Sequence, residues 1–450
     1  MQAITEYLTR NGYTAVDDTY YAQIALWQSW YQGKVNSFHT YTQYNGQRKV
    51  TRQRKTMGMA KRFCEDWAAL LLNEKVRISV GNEAAQAAMD EILKRNRFSV
   101  RANQLVELAF ALGTGAFVEY LDGGEVVIDY VRGSMIYPLA WDNGIITECA
   151  FASERKQGAE KYIYLNIHRK DGRGRYIVEN KMFRRNGDTI TPADLPEGVA
   201  DEVMTGSEVP YFQILTPNIV NNADLSSPMG ISVYANAIDN LQNIDLVFDA
   251  YDNEFRLGKK RVLVPLTLTQ TTMADSGVTK PVFDDNDVEF YVIDTGEQNT
   301  QKIEEMNGAL RYDAFEAGIK TAINLAAYKC GFGENRYRFE GGTAMTATQV
   351  ISQDSDLFRN LKKHELILDA ALQGLIKAIA QMAGIGIGEI TIEFDDSIIE
   401  DEDKERQRFM QEIREGLRQP WEYRVKYFGE AEEQARAMTA IQTIAEGFEA

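Results

Sequence analysis

Proline is scarce in this chain of 450 residues, and it is unevenly placed. None occurs before Pro138, eight fall from there to Pro281, and the ninth is Pro420. Proline ends helices and removes a backbone donor, so the two ends are expected to be rich in helix and the middle in strands and turns. Cysteine is scarcer still. Cys64, Cys149 and Cys330 are odd in number and far apart, which fits a reducing compartment and excludes a disulfide scaffold or a zinc ribbon. Three histidines, His39, His168 and His364, leave little for metal ligation or triad chemistry. No His-Glu-x-x-His, Gly-x-Ser-x-Gly or paired Cys-x-x-Cys occurs. No run of eighteen apolar residues is present, so no membrane span is expected. The opening MQAITEYLTRNGYT lacks a basic stretch followed by an apolar one and predicts no secretion signal.

Nucleotide chemistry fails the same kind of test. The glycine-rich stretch KCGFGENRYRFEGGTAMTATQV, Lys329 to Val350, sits between helical segments, as phosphate-binding loops do. A P-loop needs a Gly-Lys-Ser/Thr ending, because the lysine and hydroxyl neutralise phosphate and hold magnesium. Here Gly341-Gly342 is followed by Thr343 with no lysine. Gly113-Thr114-Gly115 lacks the third glycine of a dinucleotide fingerprint and follows a helix instead of a strand. The acidic clusters at Asp284–Asp287 and Glu400–Glu405 have neither the glycine nor the spacing of a calcium loop. The sequence therefore predicts no catalytic residue, no metal and no cofactor. The net charge of −17 argues against a protein that grips DNA, though not against one that surrounds it.

What is present is periodicity. TRQRKTMGMAKRFCEDWAALLLNEKV places Met57, Ala60, Cys64, Trp67 and Leu71 on one helical face, with basic residues from Arg52 to Arg62 on the other. SVRANQLVELAFALG reads as a helix capped by Gly113. AFVEYLDGGEVVIDYV reads as a hairpin around Asp122-Gly123. A meander follows, and its basic hairpin His168–Arg185 is expected to be an exposed two-stranded ribbon. Ser227 as N-cap and Pro228 at the first helical position then predict a helix that ends at Gly258 and spans roughly 40 Å. A small β insert and a returning helix come next. Beyond the glycine-rich loop, Thr346 and Gln349 have capping-box spacing, and the helical pattern runs on to Gly384. An acidic strand, EITIEFDDS, and short charged helices close the chain.

This order resembles the portal proteins of long-tailed bacteriophages. The strings that carry the resemblance are WQSWYQGK, AKRFCEDWAALLLNEKV, GTGAFVEYLDG, PLAWDNG, NAIDNLQNIDLVFDAYDNEFRLGKKR and TAMTATQV. It implies an α+β portal-type fold with a mixed wing domain, a two-helix stem, a small β clip, a long spine helix and an α-helical crown. Mapped here, the wing covers 1–227, one stem helix 228–258, the clip 259–305, the second stem helix 306–330 and the tunnel loop 331–345. The wing resumes over 346–395, and the crown takes 396–450. The resemblance implies a ring, commonly a dodecamer, at one capsid vertex of the virion, through which double-stranded DNA is packaged and ejected. Implied partners are a terminase ATPase, a head–tail adaptor, and the major capsid and scaffold proteins, with assembly in the host cytoplasm.

Arg336, Tyr337 and Arg338 become candidates for passing contacts with DNA. An alternative keeps their segment buried in the wing. Tyr234, Ile238, Leu241, Phe248 and Phe255, followed by Lys259, Lys260 and Arg261, become the candidate oligomer-forming surface of the stem. Other readings remain: a metal-dependent phosphodiesterase-like enzyme using carboxylates near Asp395 and Asp396, or another head–tail adaptor.

Overall fold

The structure is a computed structural model that describes residues 2–14, 16–44, 48–187, 189–258, 308–333, 336–337, 347–394 and 402–439. Between 261 and 306 it describes 261–265, 272–273, 279–280, 290–293 and 303–306. Helices and strands are both abundant and mixed along the chain, which makes the fold α+β. The chain divides into two compact units, residues 1–72 with 79–391, and residues 73–78 with 392–450.

The first unit opens with helices α1 (Gln2–Arg10), α2 (Asp18–Tyr31) and the single turn α3 (Asn36–His39). The hairpin β1 (Thr40–Tyr44) and β2 (Lys49–Gln53) precedes α4 (Met59–Leu71). The basic stretch is thus not one helix face. Arg52 lies on a strand, Arg54 and Lys55 lie in the linker, and Lys61 and Arg62 belong to α4. Gly58 at positive φ, immediately before α4, marks the break that helical periodicity alone misses. After the short strand β3 (Arg77–Ser79), α5 (Glu83–Arg95) is capped by Asn82, whose side chain accepts the amides of Ala84 and Ala85. Helix α6 (Phe98–Leu112) follows and ends at Gly113, φ +84°, as its sequence predicts.

Strands β4 (Gly115–Asp122) and β5 (Glu125–Arg132) form the expected hairpin, with Gly123 and Gly124 both at positive φ, as a type I′ turn requires. The meander is β6 (Ile136–Asp142), β7 (Ile145–Gln157), β8 (Glu160–Lys170), β9 (Tyr176–Asn186) and β10 (Thr189–Ala193). These lie side by side in chain order, and β11 (Glu202–Met204) pairs onto β9. The ribbon expectation is corrected here. β8 and β9 are interior strands of this six-stranded sheet, and His168 is buried. Its ring lies 5.4 Å from both Phe151 and Phe212, in an apolar cluster that a count of nearby cations does not anticipate. Strand β12 (Phe212–Leu215) returns to pair with β4, so Phe212 links the two sheets.

The chain from 228 to 234 is irregular and buried, Ala235–Ala237 make a single 3-10 turn, and α7 begins only at Ile238 (Ile238–Leu257). This corrects the start expected at Ser227–Pro228. The reason is a crossing of backbones beneath the end of α6. Gly230 donates its amide to Thr114 Oγ1, Val233 donates to the Phe110 carbonyl, and Tyr20 OH donates to the Gly230 carbonyl. Those bonds satisfy the segment outside any helix, so the local capping signal is overridden. Next come strands β13 (Arg261–Pro265), β14 (Thr272–Met273), β15 (Thr279–Lys280), β16 (Phe290–Ile293) and β17 (Glu304–Met306). β13 lies between a parallel β16 and an antiparallel β17. Helix α8 (Tyr312–Lys329) then returns.

Helix α9 (Ala347–Ala383) is 37 residues long and ends at Gly384, φ +65°. Its Asp356–Ala383 part is long and apolar enough to cross a membrane by length and composition. Here Leu368, Leu372, Leu375, Ile376 and Ile379 are buried, and the helix packs on β12, β4 and α4, as a core helix does. In the second unit, β18 (Thr391–Glu393) pairs with β3. Helices α10 (Glu402–Arg414) and α11 (Pro420–Phe428) meet through Phe409, Tyr423 and Tyr427.

The backbone crossing gives a direct test. A Cβ on Gly113 would sit 2.5 Å from the Gly230 carbonyl oxygen, at a φ that L residues avoid. Gly113→Ala is expected to cost on the order of 3 kcal/mol and lower the thermal midpoint by several degrees. Gly158→Ala, also at positive φ but in open space, is the control and should cost about 1 kcal/mol. Equal melting curves for the two variants would refute the crossing.

Candidate functional site

Helices α7 and α8 form an antiparallel pair, fixed by contacts that advance in opposite directions along the two chains. Gly318 lies against Val247, Phe315 against Tyr251, and Arg311 against Glu254 in a two-pronged ion pair at 2.7–3.1 Å. The same pair is fastened to the β1–β2 hairpin and its flanking residues by acidic residues of α7 spaced four and three apart, which places them on one face. Asp245 accepts His39 Nε2–H at 2.9 Å and the Met57 amide at 2.8 Å. Asp249 accepts the Lys55 amide at 3.1 Å, and Asp252 pairs with the Lys55 ammonium at 2.6 Å. His39 Nδ1 accepts the Val35 amide, so the ring proton sits on Nε2 and points at Asp245.

The base of the glycine-rich loop is equally well held. Beyond α8, Gly331 and Gly333 both take positive φ, and the Phe332 amide donates back to the Ala327 carbonyl. Phe332 stacks on Trp67 at 4.7 Å, and the Trp67 indole N–H donates to the Cys330 carbonyl at 3.0 Å. Asn360 of α9 donates to the Gly331 carbonyl at 2.9 Å. Tyr337 lies among Phe63 and Phe332, and its hydroxyl donates to Asp66 at 2.6 Å, while Arg62 holds the other oxygen of that carboxylate at 2.8 Å. Burial first, and the Asp66 carboxylate second, push the Tyr337 phenol far above its ordinary range, so it remains a donor. Arg336 beside it is exposed.

The structure therefore separates the residues that the sequence grouped. Arg336 is exposed, Tyr337 is tied into the subunit, and Arg338 and Thr346 lie outside the described residues. Tyr234 is fully buried with its hydroxyl on the Trp27 carbonyl, and Leu241 is buried as well. Neither is open to a neighbour; both close this chain's own core. Ile238 and Phe248 are half-buried, and Phe255 is exposed. Arg261 lies over the Tyr291 ring, and Lys259, Lys260, Asp395 and Asp396 lie outside the described residues.

Helical spacing applied to exposure reveals what the sequence reading missed. Ala314, Ala317, Thr321, Leu325 and Tyr328 are all exposed and recur at three and four residues along α8, with Leu325 at 53% and Tyr328 at 58% exposure. That seam was legible as a period but not as an outward face. Among the described residues, no group of three or more His, Cys, Asp or Glu side chains could hold a metal ion.

A family model described as phage portal protein, SPP1 Gp6-like, matches residues 11–446. The chain belongs to the phage portal protein family. No match was found among curated individual proteins. The portal assignment gives the two-helix pair and the loop a common context: portal proteins are structural components of the phage capsid that serve DNA packaging.

Two buried histidines make this portal chain's stability depend on pH. Burial pushes His168 down to about 3, and burial with the nearby Lys363 does the same to His364, whose Nδ1 accepts the Asn218 amide. The unfolded chain binds these protons first, so stability is full above pH ~6.5 and falls as pH drops toward 3, by about 1.4 kcal/mol per unit for each ring. Glu119 opposes this. Its carboxyl is buried and held well above the carboxylate range, so acid lowers the cost of keeping it neutral. Burial raises the Asp129 carboxyl as well, so the melting temperature is expected to fall from pH 6.5 to 4.5 less steeply than the two rings alone would make it. His364→Asn should flatten that slope by about one ring's share. An unchanged slope would show that His364 is already charged in the fold.

Proposed function

We propose that this portal protein closes into a ring, commonly of twelve copies, whose central channel carries double-stranded DNA into and out of the capsid. The observation that carries this reading is the match of the portal family along nearly the whole chain, joined to an exposed apolar seam on the helical pair. An amphipathic helix with its small and apolar residues turned to water is stable only when something covers it. In a cyclic assembly the cover is the next copy, which meets this face with a different one, and rotation closes the set.

In this reading α7 and α8 are the stem, the short strands between them the clip, α9 the spine of the wing, and residues 396–450, with α10 and α11, the crown. The clip docks the terminase ATPase that supplies energy, and a head–tail adaptor binds after packaging. The portal itself performs no chemistry. The net charge of −17 per chain, roughly −200 for twelve copies, supports a channel wall that repels phosphate and lets DNA slide. Arg336 and Arg338 supply weak passing contacts at the loop, and Tyr337 positions that loop instead of touching DNA.

Two measurements test this. Leu325→Asp with Tyr328→Asp should leave the monomer's melting temperature within about 2 °C of wild type and abolish rings in negative-stain images and native mass spectra. Leu241→Asp should instead cost on the order of 3–5 kcal/mol of fold stability, because it buries a charge in the subunit core. Rings that survive the double substitution would remove the seam from the interface. Separately, Arg336→Ala with Arg338→Ala should leave rings intact and slow DNA packaging several-fold. A wild-type packaging rate would make the loop a connector only.

A further inference from the structure

A cleft of about 660 Å3 lies between the β1–β2 hairpin, the C-terminal half of α7 and the start of α8. It is lined by Tyr41, Arg52, Leu246, Asp249, Leu310 and Phe315, among others, and continues into a second lobe that shares Tyr41, Arg52 and Asp249. The charges inside it are unequally satisfied. Asp249 accepts the Lys55 amide on one oxygen and the Asn253 amide group on the other. Glu254 is occupied by Arg311, and Asp252 by Lys55. Arg54 donates to the Phe38 carbonyl and lies over the Phe38 and Tyr41 rings. Arg52 differs: it is half-buried, lines both lobes, and its Nε has no hydrogen-bond partner among the described residues. A guanidinium that lines a half-apolar cleft attracts a carboxylate, and every carboxylate named here is already engaged.

We infer that this cleft receives a carboxylate side chain from a second copy of this chain, bound by Arg52 and flanked by the apolar wall of Leu246 and Leu310. The inference rests on the ring reading and adds the partner and the residue that recognises it. A second copy fits for two reasons. The chain carries 66 acidic against 49 basic residues, so a neighbouring copy presents carboxylates in excess. The cleft also joins the exposed seam, because Leu310, Arg311 and Phe315 line it and the seam begins at Ala314. Copies that share a large negative charge repel one another, so ring closure needs local contacts of opposite sign. An arginine that lines a half-apolar cleft with no ion pair among the described residues is such a contact, and its planar fork sets the orientation of the incoming chain.

The test uses the full-length chain. Arg52→Glu is expected to raise the protein concentration at which rings half-dissociate by at least about tenfold, with the monomer's melting temperature unchanged. In parallel, a photo-cross-linking residue (p-benzoylphenylalanine) replaces Gln43, an exposed position on the rim, with Arg52 retained. Irradiated rings should give dimers whose cross-linked peptide from the second copy contains Asp or Glu. This arm remains informative if Arg52→Glu fails to fold. Rings unaffected by Arg52→Glu, or cross-links confined to one chain, overturn the inference and leave the ring reading intact. Intact rings that lose retention of a double-stranded DNA probe would make phosphate the occupant and also overturn it. A wild-type chain that never forms rings would bring down the ring reading and this inference with it.

Discussion

The carboxylate of Asp245 is the joint on which the rest of this molecule depends. It is buried beside His39, and it takes one N–H from that ring and one from the Met57 backbone. Two donors that arrive from opposite ends of the hairpin segment converge on one side chain of α7. The helix therefore cannot rotate or slide without stranding a buried carboxylate, a loss worth several kcal/mol. Asp249 and Asp252 repeat the arrangement one and two turns further along, with progressively more exposed partners. The direction of α7 relative to the hairpin segment is thereby set. Because α8 is registered on α7 by Val247, Tyr251 and Glu254, the return path is set as well.

That return path decides where the loop begins. α8 delivers Cys330 and Phe332 against Trp67, and Trp67 is also in ring contact with His364 of α9. Three helices thus converge on one indole, and the loop base inherits their rigidity. The Tyr337–Asp66–Arg62 chain of contacts extends this order several residues outward. The neutral state of His364 belongs to the same logic, because a charged ring between Trp67 and Phe110 would lose solvation with no partner to offset it.

How much of this was legible in the sequence follows from the range of each interaction. The Gly113 cap, the Asp122–Glu125 hairpin and the uninterrupted run of α9 are local, and residues within one turn determine them. Ser227 and Pro228 carry an equally good local signal, and it misleads. The amides that a helix would have used are already engaged by Phe110 and Thr114, more than a hundred residues away. The stem surface was misread for a related reason. Periodicity finds an apolar stripe but not what covers it; Tyr234 and Leu241 face this chain's own core, whereas Leu325 and Tyr328 face out. Tyr337 was grouped with its arginine neighbours by composition, and only tertiary packing separates a phenol bonded to Asp66 from a guanidinium in water.

The distribution of cations completes the physical picture. Arginines on the large sheet are largely paired at home: Arg169 with Glu179 and Glu202, Arg175 with Asp171, Arg184 with Glu160, and Arg185 with Glu154. Lys61 and Arg311 are likewise engaged by Glu107 and Glu254. Such exposed pairs contribute little stability each, so their main consequence is electrostatic: they remove cations that could otherwise neutralise phosphate. Affinity for DNA rises steeply with the number of phosphates contacted, and a conduit fails if its cargo binds. An acidic surplus with its arginines internally paired keeps that number small along the proposed channel. Arg336 at the loop and Arg52 in its cleft have no ion pair among the described residues, and the proposed ring gives each a use: one brief and with DNA, the other lasting and with the neighbouring copy.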